Sequence, residues 1–172
     1  TGDGGRNIWV ADPDGSNLKK ITTTQFGSTG ANWANYPSWS PDGTKICFSV
    51  RTGNNSSPKT QIYMANSDGT GNMIKISDDE GDSYSCTWDS TSDKMAYNVK
   101  NSPKIYVINN SSGDGKVEVE VNLPGGYTYP RRLEWRPDGS RILFSVMNGG
   151  LYSIKPDGSD KITHISGDYY AH

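Results

Sequence analysis

Two hairpin patterns alternate along this chain, and that alternation constrains the fold more than any other feature. The first pattern occurs four times, as NIWVADPDGSNLKKIT, QIYMANSDGTGNMIKIS, KIYVINNSSGDGKVEVEV and GLYSIKPDGSDKITHIS. Each copy opens on an apolar–aromatic pair: Ile8-Trp9, Ile62-Tyr63, Ile105-Tyr106 or Leu151-Tyr152. Each then reaches an Asp-Gly turn (Asp14-Gly15, Asp68-Gly69, Asp114-Gly115, Asp157-Gly158) and continues into a second apolar run. Asp-Gly supplies the positive φ that tight hairpin turns demand. The second pattern lies between copies of the first and occurs three times, as YPSWSPDGTKICFSV, YSCTWDSTSDKMAYNV and RRLEWRPDGSRILFSV. A tryptophan (Trp39, Trp88, Trp135) precedes the turn, and an apolar strand follows it at 46–50, 95–99 and 142–146. In two copies the turn is Pro-Asp-Gly, at Pro41-Asp42-Gly43 and Pro137-Asp138-Gly139. Proline presets the first turn position and glycine takes the left-handed one. The middle copy has Ser90-Thr91-Ser92-Asp93 instead.

The tryptophans recur about every 45 to 50 residues, and four strands per such period is the pattern of propeller blades. No 3.6-residue apolar periodicity runs far enough for a helix. The chain reads as all-β, with fourteen short strands in seven hairpins forming one domain over residues 1–172. Seven hairpins make three four-stranded blades and a leading half-blade. That is about three and a half to four blades: a small, partial or oligomer-completed propeller. At 172 residues the chain is long enough for one domain with a sizeable core.

The motif Trp39-Ser40-Pro41-Asp42-Gly43 with Lys45-Ile46, and its counterpart Trp135-Arg136-Pro137-Asp138-Gly139 with Arg141-Ile142, resembles the propeller repeats of the TolB family. The Ile-Tyr strands with their Asp-Gly turns complete the resemblance, from about Asn7 to Ser166. It implies that the Trp hairpin forms the inner pair of blade strands and the Ile-Tyr hairpin the outer pair. It also implies a periplasmic or extracellular setting and a role in protein interaction or as an accessory domain of a hydrolase. The pattern departs from the family in opening and closing on an outer hairpin, with fewer repeats than a six- or seven-bladed ring. A repeat fixes architecture, and function is grafted onto it.

Composition narrows the partners. A net charge of -2 argues against nucleic acid, which needs a basic surface. No apolar run approaches the length of a membrane-spanning helix. Cys47 and Cys86 both lie in strand-like runs and read as two small buried apolar residues. Whether they approach closely enough to bond depends on geometry and compartment.

No catalytic residue, cofactor or metal site is expected. A nucleophile–base pair most often needs a histidine, and the only two are His164, in an outer strand where it reads as solvent-facing or pairing, and His172. No Gly-x-Ser-x-Gly elbow or zinc-spaced Cys/His cluster occurs. The DPDGSN and SDGTGN turns lack the closing Glu of a calcium loop, so their aspartates read as bonding their own backbone. The run Asp78, Asp79, Glu80, Asp82 is the one acidic cluster an enzyme could draw on, and it reads as a solvated loop. Asn-x-Ser/Thr motifs at Asn54, Asn55, Asn109 and Asn110 would matter only in a glycosylating secretory pathway.

The connectors that lead from one blade's outer strand to the next blade's inner strand share one face of a propeller. Here they carry Phe26, Trp33, Tyr36, Tyr84, Tyr127, Tyr129, Tyr169 and Tyr170, while the Asp-Gly turns of the opposite face carry no aromatics. Tyr and Trp pair an apolar body with a polar tip and are enriched at interfaces. Two readings follow: the rings cover the ends of the inner strands, or they form a ligand surface. The binding candidates are Trp33, Tyr36, Tyr84, Tyr127, Tyr129 and Arg131, with Arg132 adding charge. The expected function is a non-enzymatic binding or scaffold module for a protein segment or a carbohydrate. The alternative is a propeller domain or fragment of a hydrolase- or lyase-type enzyme. An open arc would expose the flanks of its terminal blades, so a homo-oligomer is also expected.

Overall fold

The computed structural model describes residues 5–22, 33–52, 57–78, 80–109, 115–123, 129–147 and 149–166. Among them no helix is long and apolar enough to cross a membrane. They form fourteen strands in one two-stranded and three four-stranded antiparallel sheets, all built from chain-adjacent neighbours. The leading half-blade pairs β1 (Trp9–Val10) with β2 (Lys19–Lys20). The first full blade runs β3 (Trp33–Trp39), β4 (Lys45–Thr52), β5 (Lys59–Asn66), β6 (Ile74–Lys75). The second runs β7 (Ser83–Trp88), β8 (Lys94–Val99), β9 (Lys104–Asn109), β10 (Val117–Glu120). The third runs β11 (Arg131–Trp135), β12 (Ile142–Val146), β13 (Gly150–Ile154), β14 (Ile162–Ile165).

The turn chemistry explains why the hairpins form where they do. In five turns an aspartate Oδ1 accepts both the backbone N–H and the hydroxyl of the Ser or Thr two residues on: Asp14–Ser16, Asp42–Thr44, Asp68–Thr70, Asp138–Ser140 and Asp157–Ser159. These bonds stabilise the charged form and hold each carboxyl below its ordinary range, led by the hydroxyl of Ser16, Thr70, Ser140 and Ser159, and at Asp42 by that of Ser40. Glycine follows at positive φ in each. In the middle Trp hairpin Ser92 occupies the position of Gly43 and Gly139, at φ 64°. Its hydroxyl also accepts the Asp42 N–H across the blade interface.

The core sits between blades. Phe48, Tyr97 and Phe144 stand at the same position of the three second strands and are fully buried. Two of them stack on the facing third-strand ring, Tyr97 on Tyr106 at 5.2 Å and Phe144 on Tyr152 at 5.7 Å. One apolar cluster joins the half-blade's Ile8 and Ile21 to Phe48, a second joins Ile62 and Met64 to Trp88 and Tyr97, and a third joins Ile105 and Val107 to Trp135 and Phe144.

Cys47 on β4 and Cys86 on β7 are buried, as their strand context indicated, but they are not two separate apolar residues. They form a disulfide between the first and second full blades, with Cα atoms 6.3 Å apart. Sequence spacing hides this pairing, because the sequence separation of 39 completes one blade and returns the chain to its neighbour's inner strand.

Candidate functional site

The three inner strands β3, β7 and β11 lie side by side, and each is irregular at the same level. Pairing with the second strand shifts register between Asn35 and Ser38, between Ser83 and Cys86, and between Arg131 and Glu134. Such bulges re-aim side chains and recur next to binding sites. Three residues before the blade tryptophan, Tyr36 and Arg132 take left-handed backbone at φ 53° and 49°. Neither is glycine, so these are sterically costly conformations. A polar residue follows the core aromatic of each second strand and braces the bulge. Ser49 donates to the Asn35 carbonyl (3.2 Å), Ser145 donates to the Arg131 carbonyl (3.3 Å), and Asn98 Oδ1 accepts from Ser85 N (3.0 Å) and Oγ (2.6 Å).

The bulges surround a cavity of roughly 700 Å³. Tyr36, Tyr84 and Tyr129, one from each blade, line it together with Lys100, Arg131, Arg132 and Glu134. Tyr36 is 64% exposed and presents an open ring, whereas Tyr129 is buried at 9%. The Arg131 guanidinium lies 4.9 Å over the Tyr129 ring, donates to its hydroxyl at 2.5 Å and reaches Met147 Sδ at 3.5 Å. Tyr84 donates to Asp82 Oδ2 at 3.4 Å, and the other Asp82 oxygen accepts the Thr60 N–H at 2.8 Å. Burial pushes the Tyr84 hydroxyl above its ordinary range, and Asp82, Tyr129 and Tyr36 nearby push it the same way. Glu134 is open to solvent along the bore, yet the surrounding protein displaces enough water to raise its carboxyl as well.

Four sequence candidates therefore converge: Tyr36, Tyr84, Tyr129 and Arg131. Trp33 stands apart. It lies farther up β3, between the Arg6 and Arg51 guanidinia at 5.1 and 5.3 Å. Tyr127 lies outside the described residues, as do Phe26, Tyr169, Tyr170, His172, Asp79, Asn54, Asn55 and Asn110. Sequence reasoning missed Lys100, Glu134 and Asn98. The repeat alignment holds a signal for Asn98, which takes the place of Ser49 and Ser145 after the core aromatic.

The acidic run does not gather. Asp82 is a bracing acceptor, and Asp78 is 83% exposed with Lys116 Nζ 3.6 Å away. His164 is exposed and bonds the Ser153 hydroxyl at 2.9 Å on the outer edge of the third blade. Among the described residues, no group of three or more His, Cys, Asp or Glu could hold a metal ion.

Blades of four antiparallel strands with inner strands around a common bore define a β-propeller. More particularly, the fold is that of a TolB-like propeller. A TolB structure from Agrobacterium tumefaciens matches with a TM-score of 0.69 at 20% identity, covering 98% of this chain and 57% of that one. A chain of the nidogen/laminin complex matches with a TM-score of 0.68 at 16% identity, covering 95% of this chain and 56% of that one. A prolyl endopeptidase matches with a TM-score of 0.68 at 15% identity, over 94% of this chain and 26% of that one. The chain thus spans little more than half the length of the first two structures. No protein-family model and no curated protein matches the sequence.

Proposed function

We propose that this propeller is a non-enzymatic binding module whose tyrosine-lined cavity holds a segment of a partner protein. The observation that carries the reading is the convergence of Tyr36, Tyr84 and Tyr129 from three blades on one cavity, each beside or within an inner-strand irregularity. Strain at Tyr36 and Arg132 is spent on aiming side chains into that space. A volume near 700 Å³ suits a few residues of an extended segment. Two of the similar structures, TolB and the nidogen/laminin complex, lend the binding reading support by analogy of fold alone.

The test is a triple variant, Tyr36→Ala with Tyr84→Phe and Tyr129→Phe, which spares the buried rings. Selection from a displayed heptapeptide library should return binders for the native chain and lose them for the variant. Retention of every binder by the variant would refute the reading. Turnover of a peptide or glycan that vanishes on Asp82→Asn substitution would favour the hydrolase or lyase alternative instead.

We also infer an oxidising setting, periplasmic or extracellular, supported by the Cys47–Cys86 disulfide. Association with a second copy is supported by Trp39, half exposed on the leading flank of the first full blade. Light scattering should show a mass above the monomer that falls on Trp39→Ser substitution. A monomeric mass at all concentrations would exclude association.

A further inference from the structure

We propose that the cavity selects an acidic peptide segment, whose carboxylates are held by Arg131, Arg132 and Lys100. The inference deepens the binding-module reading and rests on it. Successive side chains of a regular strand point to opposite faces. Arg131 and Arg132 nevertheless both line the cavity, because the register shifts between Arg131 and Glu134 and Arg132 turns left-handed at φ 49°. The third inner strand thereby aims two adjacent guanidinia at one space. Arg131 is held in place by stacking on Tyr129 and by its hydroxyl. A guanidinium offers five donors, so most of its hydrogen-bonding capacity remains for a ligand. Arg132 and Lys100 make no side-chain hydrogen bond or ion pair among the described residues.

The charge balance points the same way. Among the described residues, three cations and one carboxylate, Glu134, line the cavity, with Asp82 behind Tyr84, in a chain whose net charge is -2. Glu134 also lines the groove beside Trp39, Trp88 and Trp135, so it marks the far end of the cavity. Lys100 also borders the hollow at Lys59 and Asn101, so it marks the other end. The tyrosines, for their part, offer little to a stacking sugar. Tyr129 is buried with a face covered by Arg131, and the Tyr84 hydroxyl is bonded to Asp82. Of the three, Tyr36 is the most exposed and Tyr84 is partly buried. Tyr129 therefore positions Arg131, and the cations meet the ligand. Planar guanidinia match carboxylates two bonds at a time.

Fluorescence polarisation with a fluorescein-labelled peptide of alternating Asp and Glu, its Asn/Gln counterpart and a labelled oligogalacturonate tests this. The acidic peptide should bind at least about tenfold more tightly than the neutral one, and its affinity should fall as salt is raised. Arg132→Gly accommodates the left-handed backbone, so it removes the guanidinium without straining the bulge. It should weaken binding about tenfold, and Arg132→Lys should restore part of the loss. Arg131→Lys keeps the charge and should still weaken binding. A thermal melt confirms that each variant is folded. Equal binding of both peptides, unchanged affinity in Arg132→Gly, or binding of oligogalacturonate without the acidic peptide would each overturn the proposal. If the displayed library yields only neutral peptides sensitive to Tyr36→Ala, the binding-module reading stands and the carboxylate inference falls. If the library yields none and the acidic peptide does not bind, both fall.

Discussion

Three hairpins of nearly one sequence place their tryptophans in two different surroundings. Trp88 and Trp135 are 4% and 5% exposed, whereas Trp39 is 50% exposed. The flanking residues do not account for this, since Trp39 sits in the most regular copy of the motif. What differs is the blade before it. Trp88 leans on the inner strand of the first full blade and donates Nε1–H to the Ser38 carbonyl at 3.1 Å. Trp135 packs with Ala96, Ile105 and Val107 of the second blade, and its backbone N–H meets the Thr87 hydroxyl at 3.4 Å. Among the described residues no inner strand precedes β3, and Trp39 is left half exposed. The same indole is thus core at two blade interfaces and surface at the third. In a propeller, burial is a property of the pair of blades.

Alanine substitution should separate these surroundings most strongly. Trp88→Ala and Trp135→Ala each remove a large buried ring and should cost about 3–5 kcal/mol in denaturant unfolding. Trp39→Ala should cost less than about 1 kcal/mol at concentrations where the chain is monomeric, as for a surface change. Equal costs at all three positions would show that Trp39 is covered in solution.

The next contrast is between two buried interfaces. The one between the first and second full blades carries the Cys47–Cys86 disulfide, and the one between the second and third carries none. Closing a loop at a sequence separation of 39 stabilises by about 4 kcal/mol on the chain-entropy account. The Cys47→Ala/Cys86→Ala variant should lose roughly 2–4 kcal/mol. Reduction should also speed hydrogen exchange in β4 and β7 before it does so in β11 and β12. Uniform loosening of all blades would mean that the interfaces unfold as one unit.

The smallest effect per group lies in the turns. Asp42 and Asp138 serve the first and third Trp hairpins, and in the middle copy Thr91 takes that place. Both carboxyls are held below their ordinary range, so each contributes stability that is present above its unfolded pKa and lost as pH falls through the folded value. With an ordinary carboxyl value of 3.8, stability should be level from neutral pH down to about 5 and should decline below about 4. Asp42→Asn with Asp138→Asn should flatten that acid limb, as followed by circular dichroism. An unchanged limb would assign it to the other lowered carboxyls, at Asp14, Asp68, Asp157 and Asp160.

The local grammar of this protein is written in its sequence. Asp-Gly with a following Ser or Thr fixes five of the turns through bonds within three residues. Alternating apolar runs fix the strands, and the Trp recurrence fixes their grouping into blades. Tyr36, Tyr84 and Tyr129 could be named as candidates because each precedes a blade tryptophan on one face, although the structure places Tyr36 in β3 and Tyr84 in β7 rather than in connectors. Tertiary structure decided the rest. It paired Cys47 with Cys86 because the chain brings neighbouring blades together only after a full repeat. It left Trp33 between two arginines and brought Lys100 and Glu134 to the cavity. Register decided the site: a one-residue shift in β11 reverses which face a side chain occupies, and no propensity in Arg131-Arg132 signals it. That shift depends on Ser145 bonding the Arg131 carbonyl from the facing strand, an interaction that exists only once the strands have paired.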